Sequence, residues 1–266
     1  MATATAKKAA ASAKTSSSTA VATRKAGALV DVKAIQEKLK QQAAAINDKV
    51  APASGITIQV TQSKQFKFPD GTTADSFQGV IVDFVSANLF YEGAYDKDNI
   101  QPPACFAIGE SPLTLVPSDN SPVRQSDACK GCPMNDFGSA GKGKACKNTR
   151  VLAVLPPDAD ADTPIWLLKV SPTALKRYDS YVRSVASAFG MPPVAVVTTF
   201  GFDENSDYAS LTFSNPEPNE NLGVCYERQE EAKKLLFTEP DVSQYQAEQQ
   251  AGKGSKPAAK KAAVRR

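Results

Sequence analysis

Cys105, Cys129, Cys132 and Cys146 stand at the spacing C-x23-C-x2-C-x13-C. The central pair, Cys129-Lys130-Gly131-Cys132, is a knuckle. Two intervening residues let both sulfurs face one ion, and glycine permits the tight turn between them. Four thiolates complete the tetrahedral shell of zinc and leave no position for a reacting water, so the chemistry expected is structural. A redox C-x2-C would need a βαβ context that this pattern does not offer, and an iron–sulfur cluster is the other reading of four cysteines. The fifth cysteine, Cys225, stands apart and is expected to be a buried or idle thiol. The chain has no histidine, which removes Ser-His-Asp and Cys-His catalysis and any histidine-ligated metal. No apolar signal-like run follows the first lysines. The cysteines are therefore expected in a reducing, cytoplasmic setting, where clustered thiols bind metal rather than pair as disulfides.

A basic island surrounds the knuckle. Residues 129–150 carry Lys130, Lys142, Lys144, Lys147 and Arg150 against Asp136 alone, a net +4. Within it, FGSAGKGKACKNTR (137–150) combines small residues, which let a backbone approach phosphate closely, with that positive charge. It lacks the G-x4-G-K-[ST] spacing of a nucleotide-hydrolysing loop, since Ala145 follows Lys144. A solvated basic loop is the plain alternative to a phosphate-contacting one. The whole chain has a net charge of +3, but residues 1–28 contribute +5 and residues 249–266 contribute +6 with no acid, which leaves −8 for the remainder. These Ala-, Ser- and Lys-rich ends cannot bury enough apolar area to fold. Residues 1–28 and 241–266 are expected to be disordered tails that either solubilise the chain or contact phosphate and acidic surfaces.

The elements that must position these groups follow from hydrophobic periodicity. Residues 29–50 repeat Leu29, Val32, Ile35, Leu39, Ala43, Ile46 and Val50 at helical steps, which predicts an amphipathic helix that packs on its own domain or docks on a partner. Alternation at Ile56, Ile58 and Val60 and at Phe66 and Phe68, a Pro69-Asp70-Gly71 turn, and the β-branched run 77–91 predict strands. So do 150–156, 164–170, 194–202 and 208–213. Ser171-Pro172 is expected to open a helix that Gly190 closes, and residues 226–237 a short charged one. The fold expected is mainly β with peripheral helices: an OB-like five-stranded barrel at 51–240, with a four-cysteine insert at about 102–150. A sandwich is the other arrangement of these strands. No run of about 18 apolar residues predicts a membrane span.

The segments CFAIGESP, SDACKGCPMNDFGSAGKGKACKNTRVLAVL and WLLKVSPTALKRYDSYV resemble a group of tailed-phage and prophage proteins, over roughly residues 77–213. That pattern is similar to phage single-stranded DNA-binding proteins, in which a zinc subdomain is inserted into an OB-fold. The resemblance implies a non-enzymatic protein of phage replication or recombination, acting in the cytoplasm of the infected cell, with single-stranded DNA, replication or recombination proteins and further copies of itself as partners. Two features depart from the group. The C-terminus AAKKAAVRR is basic where many such proteins end in an acidic recruiting tail, and four cysteines replace a ligand set that elsewhere includes histidine.

For such a module, bases would stack on strand aromatics and cations would track the backbone. Candidate stacking residues are Phe66, Phe68, Phe84, Phe90, Tyr91 and Trp166, and candidate phosphate contacts are Lys64, Lys67, Lys130, Lys142, Lys144, Lys147 and Arg150. The acidic body favours a rival reading, an adaptor whose zinc module and helix dock on proteins. A zinc enzyme would need an open coordination site and a base near it. Glu110 is the only carboxylate close to a cysteine with a suitable character, and no H-x-E signature accompanies it. Duplex reading by a zinc-finger helix is disfavoured by a Gly- and Pro-rich insert.

Overall fold

The computed structural model describes residues 56–93, 101–243 and 245, together with Lys38. The helix expected at 29–50, apart from Lys38, the N-terminal tail and the C-terminal tail past residue 245 lie outside this set. At the start of the segment expected as the C-terminal tail, Val242 is buried and the Tyr245 hydroxyl donates to Glu92. Nine strands are present among the described residues: β1 Thr57–Val60, β2 Phe66–Lys67, β3 Thr73–Ala74, β4 Phe77–Phe90, β5 Cys105–Gly109, β6 Lys147–Leu155, β7 Trp166–Val170, β8 Val196–Phe202 and β9 Leu211–Pro218. The helices are α1 Leu175–Phe189, α2 Leu222–Glu227 and α3 Gln229–Leu236. One sheet runs β3-β2-β1-β7-β6-β4-β8-β9, with β5 paired to β4 off that path. All pairs are antiparallel except β1 with β7.

The fourteen-residue strand β4 organises the sheet. One of its edges carries β6 from Val80 to Leu89. The other is shared, with β8 along Phe77–Val80 and β5 along Ser86–Phe90. In the fork between them, Gln229 Nε2 donates to the Val82 carbonyl at 3.2 Å, and the Phe84 N–H donates to Asp83 Oδ1 at 2.8 Å. Backbone groups that neither strand reaches are thus satisfied by side chains. At Gly79 a Cβ would meet Val154 Cγ1 at 2.8 Å, so only glycine lets β6 approach this closely.

Period-two alternation sends successive side chains to opposite faces and builds two cores. One collects Ile58, Phe66, Ile81, Leu152 and Leu168 against Tyr178, Tyr181 and Val185 of α1. Phe66 of β2 reaches Phe77 of β4 and Phe202 of β8, with ring centroids 4.8 and 4.5 Å apart, so the sheet curls over this core as a half-barrel. The second core packs Val80, Val82, Val85, Leu155 and Ile165 against Cys225, Ala232 and Leu236 of α2 and α3. Cys225 is fully buried, and that burial raises its pKa.

The mainly β architecture agrees with the sequence pattern, while several details differ. The sheet has nine strands rather than five, and its terminal strands β3 and β9 do not pair with each other. Helix α1 begins at Leu175, because Ser171 spends its hydroxyl on Thr173 at 2.9 Å and Ala174 takes the capping position. Gly190 ends the helix as expected, in the left-handed region at φ +65°. The charged helix expected at 226–237 is α3, and a further short helix, α2, precedes it. No helix among the described residues is long and apolar enough to cross a membrane.

The Tyr178 hydroxyl is buried with no hydrogen-bond partner among the described residues. Tyr178→Phe is therefore expected to keep or raise stability, by about 1 kcal/mol, whereas Leu152→Ala in the same core should cost about 2–5 kcal/mol. Urea midpoints at unchanged m check both, and a clear loss for Tyr178→Phe would show that the hydroxyl has a partner.

Candidate nucleic-acid interface and cysteine cluster

The sheet itself presents two of the four clustered cysteines. Cys105 opens β5 opposite Phe90 of β4, and Cys146 directly precedes Lys147 at the start of β6, on the other side of β4. The insert expected at 102–150 is therefore shorter, running from 110 to 146 between these strands. Its first part closes the free edge of β5: Ser118 and Val123 donate backbone N–H groups to the Phe106 and Ala104 carbonyls, each at 2.8 Å. Ser121 Oγ both accepts from the Phe106 N–H and donates to its carbonyl.

The second part returns the knuckle to the sheet. The Cys129 N–H donates to Leu115 at 3.0 Å, and Gly131 takes φ +78°. Cys132 leads the turn Pro133–Asn135, and the Cys146 N–H donates to Met134 at 2.8 Å. Asn135 Nδ2 donates to the Cys129 carbonyl at 2.9 Å. Cys105, Cys129, Cys132 and Cys146 are all buried and unbridged, and they line one cavity of about 10 Å³ with Asn88, Phe90 and Met134. That is room for about one water-sized sphere, and no carboxylate lines it. Burial pushes the Cys146 thiol up to about 12, with the Cys129, Cys105 and Cys132 sulfurs adding to the effect. Burial also raises Cys129, against which a hydrogen bond from Asn88 favours its thiolate. Among the described residues, no group of three or more cysteine or carboxylate side chains is arranged to hold a metal ion.

On the opposite side of the sheet from α1, an open groove of about 450 Å³ crosses strands β1, β7 and β6. Thr57, Gln59, Tyr91, Lys147, Thr149 and Lys169 line it. Register explains the set. Leu89 faces Lys147, and Val151 faces Lys169, so these lysines alternate with the residues of the α1 core. Lys67 pairs with Gln59 and so extends the same face by one strand. Crowding desolvates the Lys169 ammonium and lowers its pKa, and the Tyr91 hydroxyl is raised for the same reason. Lys147 Nζ donates to the Lys144 carbonyl at 3.1 Å, which joins the groove to the cysteine module.

The chain matches no family model, no curated protein and no solved structure. The placement of individual side chains therefore carries the functional argument.

Of the aromatic candidates, Tyr91 alone lines the groove, and it is partly exposed. Phe66 is wholly buried and its ring is occupied by Phe77 and Phe202, so it is a core residue rather than a stacking platform. Phe68 and Trp166 pack on each other at 5.2 Å against the first core. Phe84 meets Tyr178 edge-on at 5.3 Å, and Phe90 lines the cysteine cavity.

The cations also divide. Lys67, Lys130, Lys142 and Lys147 are exposed. Lys64 is tied to the Asp203 and Glu204 carbonyls at 3.1 and 3.3 Å, and Lys144 to Asn135 Oδ1 at 3.3 Å. Arg150 is buried, points to the α1 side and pairs with Asp179 at 3.3 Å, so it holds the helix to the sheet rather than facing the groove. Glu110 is bound by Lys233 at 2.7 Å, which holds its carboxyl below the usual range, and it does not line the cysteine cavity. Sequence reasoning missed Lys169 and Gln59. The signal was present in the alternation of WLLKV, where Lys169 falls between the buried Leu168 and Val170.

Gly131 holds the knuckle at a positive φ with open space where a Cβ would stand. Gly131→Ala is expected to cost about 1–2 kcal/mol through backbone strain alone. A melting temperature equal to the wild type's would show that the turn relaxes.

Proposed function

We propose that this chain is a single-stranded DNA-binding module. One observation carries the proposal: an open groove on a curled sheet, bordered by Lys147, Lys169 and, by register, Lys67, with the partly exposed Tyr91 in its lining. Single strands are bound by cations that follow the backbone and by aromatic faces that accept any base. The groove offers both, together with the Gln59 amide and Thr57 hydroxyl as neutral hydrogen-bonding groups. The half-barrel curvature supports an OB-like, partly open barrel, and the cysteine segment is then its insert.

We propose further that the four thiols, which line one cavity but do not stand as a formed metal-holding group, close on a structural zinc ion. Four thiols, and no competing carboxylate, border a cavity of about 10 Å³. Cys105, Cys129, Cys132 and Cys146 would hold the ion, which would supply cross-linking of β5, the knuckle and β6 where little apolar core is available. The chain's own part is to fix where Lys147 emerges: Cys146 is its direct neighbour, and the Cys146 N–H is already tied to Met134. Nothing in this role requires a reacting group.

Two experiments test these statements. In fluorescence anisotropy with a labelled poly-dT oligonucleotide, Lys147→Glu with Lys169→Glu should weaken binding at least about tenfold and lower the salt slope by about 1.4, roughly 0.7 per single-strand phosphate contact. Wild-type protein that binds no oligonucleotide at low salt would overturn the proposal, and salt-insensitive capture of a protein would turn it toward an adaptor. For the metal, about one zinc per chain is expected by elemental analysis, lost in Cys129→Ser with Cys132→Ser together with protease resistance of residues 110–146. Metal-free wild-type protein of equal stability would remove zinc from the account.

A further inference from the structure

Phe137 is 80% exposed, the most exposed large hydrophobic side chain among the described residues. It belongs to neither core and makes no ring contact there. Single exposed hydrophobics are ordinary on protein surfaces, so exposure alone decides nothing. What distinguishes Phe137 is how it is held. It follows the turn Pro133–Asn135 and leads a small hairpin in which the Gly138 N–H donates to Gly143 at 2.9 Å and Ala140 bridges Gly143. The Ser139 hydroxyl donates its one proton to the Asp136 carbonyl at 2.7 Å, with the Met134 carbonyl also within reach at 3.0 Å, and accepts from the Ala145 N–H at 2.9 Å, tying both arms. Gly138 and Gly141 adopt positive φ, which the turn requires. The ring is therefore displayed on a braced support.

The surroundings are cationic. Lys142 is exposed within the hairpin, and Lys144 is anchored to Asn135, two residues from Phe137. Lys144 also offers the carbonyl that receives Lys147 from the groove. Asp136 is the single acid in residues 128–150. An exposed aromatic ring on a braced hairpin among lysines matches the recognition of an unpaired base and its flanking phosphates.

We infer that Phe137 at the tip of the cysteine module is a second base-stacking site, and that a single strand leaving the groove past Lys147 continues along Lys144 and Lys142 to this ring. The inference rests on the proposed single-strand binding and adds its path and a contact point. A membrane wedge is the other role open to a phenylalanine flanked by lysines.

The test uses the full chain, with labelled poly-dT and, separately, vesicles containing phosphatidylserine. Phe137→Ala should weaken oligonucleotide binding about tenfold with the salt slope unchanged, because a lost stack releases no counterions. Phe137→Trp should restore affinity and show indole quenching on titration that is absent in the wild type. If Phe137→Ala binds as the wild type does while the Lys147→Glu, Lys169→Glu variant is impaired, the tip site is wrong and the groove stands. If the Phe137→Trp indole is not quenched, the tip site is likewise wrong. If the wild type ignores the oligonucleotide, the functional reading falls and takes this inference with it. Binding to vesicles but not to DNA, lost in Phe137→Ala, would replace base stacking with membrane insertion.

Discussion

The division of one edge of β4 between β8 and β5 governs this molecule. A strand has two edges, and β6 takes one of them along Val80–Leu89. On the other, β8 leaves at Val80 and β5 joins at Ser86. Toward β8 the sheet curls over the α1 core. Toward β5 it runs out to the cysteine module. The fork is stable because its unpaired backbone groups are answered by Gln229 and Asp83, and because Lys233 of α3 binds Glu110 just beyond β5. Burial raises the half-exposed Asp83 carboxyl, with Lys233 acting in the opposite sense, so the cation of α3 also steadies an acid in the fork.

This geometry makes groove and cysteine cavity neighbours at one end of the sheet. Leu89, Phe90 and Tyr91 are consecutive: Leu89 pairs with Lys147, Phe90 lines the cavity, and Tyr91 lines the groove. Whatever orders the four thiols also orders the groove wall, since Cys146 and Lys147 share a peptide bond. The −8 charge outside the tails does not oppose a local basic surface, because the potential at a groove is set by the charges within about a Debye length of it.

Much of this was legible in the residues. The strands of β4, β6 and β7, the helix stop at Gly190 and the grouping of four cysteines follow from alternation, glycine chemistry and spacing. Strand count and closure were not, because β2 and β3 have two residues each and give no periodicity. Which aromatics face outward was also hidden. Phe66 and Tyr91 are alike as residue types, and only the curl that brings β2 over Phe77 and Phe202 separates a core ring from an exposed one. Arg150 illustrates the same limit: parity along β6 turns it toward α1 and Lys147 away from it, although both belong to one basic run.

The parallel pairing of β1 with β7 bears on the order in which the protein assembles. Thr57 meets Leu167 across more than a hundred intervening residues, whereas β6 and β7 close through a short loop. Long-range closure must await the chain between, and its entropic cost is met before any contact repays it. During synthesis, β1 has no partner strand on this side until β7 has emerged. The wall of the groove formed by Thr57 and Gln59 therefore forms only after the whole cysteine segment and β6 have been made. Groove and first core are thus completed at different points along the chain: the last groove residues lie just past β7, whereas Val196, Phe200 and Leu211 of the core come later.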